Sequence, residues 1–363
     1  MNDKLITVAR TQGTPIIDGD QVTFLWQGNN PPALVGDFTD WQIKPLPLVH
    51  LENDLWGYTT TFPSNAYLEY TFFDSEKKER LLDGLNPRKV RNGMGQIANY
   101  FYMPEAIACP YIHPNKGAKI NDATLVRVKT HDLAVGKERS VSLYQPSTSE
   151  PVPLLVVLDG NDYQKMGKIV SIVDNLISQS KIQPIALALV SHGRQARFVE
   201  YAASESTLLF LTEIVLPFAQ QKLNLIDIQH TQGAYGILGA SMGGLMALYC
   251  GLRAPQIFGR VLSQSGAFDF GYDSRGLDEF VRYIPTKPIR IWMDAGRYEW
   301  LLPSNQRMAE LLKERGYSIA YKEFSGGHNY TSWRNELPYG LMTLFPESST
   351  VGSIHIKEGE ESL

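Results

Sequence analysis

The sequence predicts an α/β catalytic domain preceded by an all-β module. Three observations carry that expectation. The first part of the chain holds short runs that alternate between apolar and polar positions, broken by Gly, Pro, Asn and Asp. From residue 121 onward, continuous apolar runs alternate with stretches of helical spacing, which implies a mostly parallel sheet covered on both faces. One of those runs leads through a Gly-rich turn into an apolar helix, with a serine at the turn.

The elements follow in order. Residues 21–28 (QVTFLWQG), 54–62 (DLWGYTTTF) and 66–74 (AYLEYTFFD) read as strands rich in β-branched and aromatic residues. Such short strands over 1–104 suggest a β-sandwich. Residues 105–120 have little periodicity and several prolines and read as a linker. In 121–345, ATLVRVKT and RSVSLYQP read as an antiparallel pair. The runs PLLVVLDG (153–160) and IALALVS (185–191) have the continuous apolar character of strands buried on both faces. Helices are expected near 164–180 and 203–222, the latter from Leu208, Leu211, Val215 and Phe218. GAYGILGAS leads into a helix at 242–253; GRVLSQSG, IRIWMDAG, a helix at 302–316 and IAYKEFSGG complete the domain. The tail 346–363 is polar and acidic, and disorder is expected there.

Composition bounds the function. The chain has 363 residues, 43% of them hydrophobic and 20% charged, as in a globular protein of two domains. A net charge of −4 argues against a nucleic-acid binder. The acidity lies in the first 104 residues and the tail, which leaves 121–345 close to neutral. The two cysteines, Cys109 and Cys250, have no metal spacing and no disulfide framework, so neither metal nor cofactor is expected. With no signal-peptide pattern and no apolar run long enough to span a bilayer, a soluble cytoplasmic protein without membrane attachment is expected. An oligomer is compatible with all of this.

The chemistry sits in Gly239-Ala240-Ser241-Met242-Gly243-Gly244. G-x-S-x-G alone is a weak pattern. Between a strand and a helix it has the setting of a nucleophile elbow, where a sharp turn lifts the serine hydroxyl clear of the sheet. A hydroxyl needs a base to attack a carbonyl. Of the seven histidines, His328 in FSGGHNYTSW lies after a strand near the domain's end, where the chain order of this fold puts the base. The orienting acid belongs between them. Asp294 closes the strand IRIWMDAG, and Glu299 lies beyond it; spacing does not separate the two. Two N–H donors must meet the oxyanion: Met242, and one from Gly160, Asn161 or Asp162 in VVLDGNDYQ.

LDGNDY, GASMGG, AGRYEW and GGHNYTSWR, in this order, resemble the enterochelin (enterobactin) esterase-like family, relatives of S-formylglutathione hydrolases and of feruloyl and acetylxylan esterases. The resemblance covers residues 120–345. It implies an α/β-hydrolase fold, serine carboxylesterase chemistry on a small-molecule ester, and Glu299 as the triad acid, because family members carry the acid three positions past the glycine, here Gly296. VGDFTDW (35–41) and LLDGLNP (81–87) resemble the immunoglobulin-like early-set module of siderophore esterases and glycogen-active enzymes. Trp41 and Trp56 then read as packing residues, with a glycan platform as the sharper alternative. Family substrates are anionic iron catecholates, so His192, Arg194 and Arg197 in SHGRQARFVEY, together with Trp333 and Arg334, are candidate substrate residues. Arg197 and Glu200 read equally well as an ion pair shaping the loop. The family's Asp after the histidine is Asn329 here.

Overall fold

The computed structural model describes residues 2–41, 44–91, 95–113, 125–128, 139–269 and 276–347. The tail from 348, residues 114–120 of the expected linker, and His131 and His355 lie outside the described residues.

Eight strands form the central sheet: Leu125–Val128, Arg139–Tyr144, Leu154–Val157, Ala186–Val190, Tyr235–Ala240, Phe258–Gln264, Arg290–Tyr298 and Ser318–Gly327. Their spatial order is first, second, fourth, third, then fifth to eighth. The second strand runs antiparallel to both neighbours, and the rest are parallel. Every residue of the third, fourth and fifth strands is buried. Their side chains alternate between two cores. Leu154 and Val156 face a core that holds Met246 and Leu248 of helix Met242–Arg253, with Met308 and Leu312 of helix Leu302–Glu314. Leu155 and Val157 face Ile172 and Leu176 of helix Ile169–Ser178, with Leu337 and Leu341 of helix Tyr330–Leu344. The strand order reverses between the third strand's two neighbours, and in open parallel sheets ligands bind beyond the carboxyl ends of the strands at such a point, here the third and fifth. The candidate serine lies there.

Two expected helices differ in detail. The stretch 164–180 is two helices, Gly160–Lys165 and Ile169–Ser178, separated where Lys168 takes a left-handed conformation. The stretch 203–222 comprises Glu205–Phe210, a wider π turn at Leu211–Val215, and Leu216–Lys222. Pro217 has no N–H to give the preceding turn, which explains the local widening. Helix Asn2–Gln12 was not expected; Leu5, Ile6 and Ala9 pack on Leu25, Leu55 and Leu85.

The N-terminal region is β-rich, as its alternation predicts. One sheet contains Ile16–Asp18, Gln21–Gln27, Leu55–Thr61 and Val49–Glu52; the other contains Leu46–Pro47, Ala33–Gly36, Tyr67–Asp74, Ile97–Tyr102 and Lys89–Arg91, with Glu79–Leu81 beside Tyr67–Asp74. Phe24 of the first sheet stacks edge-on against Tyr70 (4.8 Å) and Phe101 (5.7 Å) of the second, so the sheets share one core. Trp56 packs on that core, gives its indole N–H to the Gly28 carbonyl (3.0 Å) and stacks on His50. Trp41 lies under the Arg80 guanidinium.

This region rests on the last strand and last helix of the central sheet. Phe62 packs edge-on against Tyr298 at 5.9 Å. The connecting stretch is strapped down: Asn335 accepts the Cys109 N–H (2.9 Å), and Asn175 donates to the Tyr111 (3.0 Å) and His113 (2.8 Å) carbonyls.

Candidate active site

Ser241 sits between the fifth strand and helix Met242–Arg253 with φ 58 and ψ −124, a conformation that L-residues other than Gly rarely adopt. The surroundings hold it there. Its N–H donates to the Gln264 carbonyl (2.9 Å), and its carbonyl accepts from Ala267 (3.0 Å) and Gly244 (2.9 Å). Gly239 is required by contact: a Cβ there would collide with the Gly243 backbone. The G-x-S-x-G spacing is therefore the steric condition for the turn.

His328 follows the eighth strand and is partly exposed. Its Nδ1 lies 2.7 Å from Glu299 Oε2, and the Glu299 side chain is fully enclosed. The other Glu299 oxygen accepts the Gly296 N–H at 3.1 Å. Both carboxylate oxygens are thus committed, which fixes the orientation of the acid. With its proton on Nδ1 toward Glu299, the imidazole leaves Nε2 free to accept another. Two indoles flank the ring, Trp300 at 4.8 Å and Trp333 edge-on at 4.9 Å.

The structure brings Glu299, not Asp294, to the histidine. Asp294 is fully buried one step deeper, where it accepts from the Trp292 indole (2.8 Å) and the Gln264 amide (3.1 Å). Gln264 also donates to the Trp333 carbonyl (3.0 Å) and accepts from Tyr163 (3.0 Å). Burial, with the Glu336 charge nearby, pushes Asp294 up to about 8. Asp294 therefore belongs to a polar network beneath the site and keeps its proton at neutral pH.

The first helical turn after the third strand supplies the second set of amides. The Asp162 N–H is already spent on the Asp159 carbonyl at 2.9 Å, which removes it from the three expected donors. Gly160 and Asn161 open helix Gly160–Lys165, and no intrahelical carbonyl reaches their N–H groups. Met242 occupies the same position at the start of its own helix.

A family model described as "Putative esterase" matches residues 133–344. The chain belongs to this esterase family. It is a carboxylic ester hydrolase with the α/β fold of the enterobactin esterases. It is 24% identical over 330 residues to the iron(III) enterobactin esterase of Escherichia coli O6:H1, covering 80% of each chain. It is also 24% identical to the iron(III) salmochelin esterase of the same strain, covering 90% of this chain and 88% of that one. Among solved structures, the enterobactin esterase of Shigella flexneri, determined in the presence of enterobactin, superposes with a TM-score of 0.74 at 24% identity, covering 89% of this chain and 92% of that one. No single helix among the described residues is long and apolar enough to cross a membrane.

The expected substrate residues of this esterase divide. Arg197 does not pair with Glu200. It grips Asp159 with two hydrogen bonds (2.8 and 2.5 Å) and reaches the Ala240 carbonyl at 3.3 Å. Glu200 pairs instead with Arg139 and caps the Gly193 N–H. Arg197 is therefore a brace between the Asp159–Gly160 turn and the residue preceding Ser241. Arg334 donates to the Met166 carbonyl (3.3 Å) and lies beside Glu69 and Tyr102 of the N-terminal region. Trp333 is buried, and its indole N–H donates to Ser265 Oγ at 2.9 Å, so it supports His328 from below. His192 and Arg194 stay on the open side. The His192 Nε2 lies 3.6 Å from Asp162, and Arg194 is exposed. One residue at the mouth was not foreseen: Trp300, 55% exposed although it stacks on His328. Its place directly after Glu299 was the available signal.

Proposed function

We propose that this esterase cleaves a siderophore-like or aryl/acyl ester, such as the serine ester of a dihydroxybenzoyl-serine lactone, through an acyl-enzyme on Ser241. The observation that carries the reading is the 2.7 Å Glu299–His328 pair together with the strained elbow at Ser241. His328 Nε2 takes the hydroxyl proton as Ser241 Oγ bonds to the ester carbonyl carbon. The carbonyl oxygen becomes an oxyanion, and the N–H groups of Met242 and of Gly160 or Asn161 receive it. The C–O bond to the alcohol then breaks, and His328 returns the proton to the departing oxygen. Water repeats the sequence on the acyl-enzyme and releases the acid. Glu299 holds the imidazole tautomer and balances the imidazolium charge.

The substrate class rests on the enterobactin- and salmochelin-cleaving relatives and on the mouth. Trp300 offers an exposed aromatic face beside His328 for a catechol ring, and Arg194 is an exposed cation on the loop after the fourth strand. In this reading, residues 121–345 are the α/β-hydrolase unit and 1–104 an immunoglobulin-like sandwich.

Ser241→Ala with an intact fold is expected to lower turnover of p-nitrophenyl acetate and of enterobactin by at least about a thousandfold. Unchanged turnover would refute the mechanism. Faster hydrolysis of a feruloyl sugar ester than of enterobactin by the unmodified enzyme would refute the substrate class and leave the mechanism standing.

A further inference from the structure

The N-terminal region reaches under the base. Gly327, the residue before His328, has no room for a side chain, since a Cβ there would run into the Asp37 carboxyl carbon. Asn329, the residue after His328, donates its side-chain amide to Asp37 Oδ2 at 3.2 Å. The same oxygen accepts the Glu69 N–H at 2.9 Å, which ties Asp37 to strand Tyr67–Asp74. Asp37 is only 2% exposed. It belongs to the G-D-F-x-x-W motif. The loop carrying the base thus meets one carboxyl group of the β-rich region on both sides of the histidine, by close packing at Gly327 and by a hydrogen bond at Asn329.

Asn329 has a second task. Its Oδ1 accepts the Ser332 N–H at 2.9 Å and so caps helix Tyr330–Leu344. One amide side chain therefore joins Asp37, the histidine loop and the start of the last helix. A carboxylate at position 329 could still cap the helix, but it has no N–H to donate to Asp37 as the Asn329 amide does. An amide is the residue type that satisfies both partners.

We propose that Asp37 is a positioning residue for His328: it fixes the Gly327–Asn329 backbone from the N-terminal side, so the acid–base half of the site is completed by the β-rich region. This rests on the reading of His328 as general base. Asp37 touches no reacting atom. Glu69 and Glu299 are the charged groups nearest to it, and burial raises its carboxyl group well above the ordinary range.

The test uses the full-length enzyme and p-nitrophenyl acetate. Asp37→Ala is expected to lower kcat about tenfold to a hundredfold with KM little changed, as for a base displaced by a fraction of an ångström to an ångström. Asp37→Asn keeps an acceptor for both N–H groups and is expected to stay within about threefold of the parent. The acid limb of the kcat/KM profile should move in Asp37→Ala and not in Asp37→Asn. Asn329→Ala should lower kcat similarly, and the double variant should lose little more than either alone. Thr14→Val, which removes a buried 2.6 Å bond to Asp83 elsewhere in the same region, is the control for stability alone. The proposal is overturned if Asp37→Ala keeps parental kcat and pH profile, or if its loss at matched melting temperature equals that of Thr14→Val. If Asp37→Ala does not fold, Asn329→Ala decides alone: parental kcat overturns the proposal. Parental activity in Ser241→Ala would instead remove the underlying mechanism, so the two failures are distinguishable.

Discussion

The two halves of the proposed site are built by different means. The nucleophile half lies inside one sheet. Ser241, Met242 and the Gly160 turn emerge from the adjacent fifth and third strands, and the Arg197–Asp159 pair binds the two turns together. Its geometry comes from backbone strain and close packing within a few residues. The acid–base half lies at the sheet's far edge, on the loops after the seventh and eighth strands. There Phe62 backs Tyr298, the residue before Glu299, and Asp37 backs the His328 loop. The comparison teaches that an edge needs outside support where a sheet interior supports itself.

The sharpest way to break the comparison is at the acid. Glu299→Gln keeps the shape but no longer stabilises the imidazolium or enforces its tautomer. It is expected to lower kcat by about three to four orders of magnitude, read with p-nitrophenyl acetate. Asp294→Asn, five residues earlier on the same strand, should cost less than about tenfold; equal losses at both positions would erase the distinction between orienting acid and buried network.

A middle-sized effect probes the nucleophile half. Arg197→Ala leaves the buried Asp159 carboxylate without its partner, which is expected to cost about 3–5 kcal/mol in urea unfolding and to lower kcat. Adding Asp159→Asn should recover part of the stability, because the uncompensated charge is then gone. No recovery would mean that Arg197 acts only as a surface cation.

A further prediction, read only in stability and not in turnover, concerns pH. Asp294 titrates at about 8 in the folded chain, against an ordinary carboxylate value near ~4 when unfolded. A raised acid binds its proton more tightly in the native state. Its contribution to stability is therefore complete below the unfolded value and is lost as pH climbs toward about 8. Glu69, pushed up to about 7 chiefly by burial, acts with the same sign over a narrower window. Urea midpoints should fall between pH 5 and 8, and Asp294→Asn should flatten that slope. An unaltered slope would show that Asp294 is ionised in the native state.

Legibility in the sequence follows the same division. Strand Tyr235–Ala240, helix Met242–Arg253 and the serine between them could be read directly, because the elbow is a local steric problem and its glycines are its solution. His328 could be read from chain order. Arg197 could not: its partner Asp159 lies thirty-eight residues away, and Glu200, the nearer acid, was spent on Arg139. Arg334 looked like a site residue from its spacing to His328, yet one helical turn carries it to the opposite face, toward Glu69 and Tyr102. The Asp162 N–H was unusable for a reason visible only in the turn it closes.

By itself, then, the sequence determined the alternation of strands and helices, the β-rich start and the identity of the candidate nucleophile and base, because periodicity and tight turns are properties of neighbouring residues. Only the tertiary structure shows Glu299 rather than Asp294 against His328, Arg197 bridging Asp159 and Ala240, and Asp37 beneath the His328 loop. Those outcomes depend on which groups burial strips of water and which partners it leaves within reach, and distance along the chain carries no information about either.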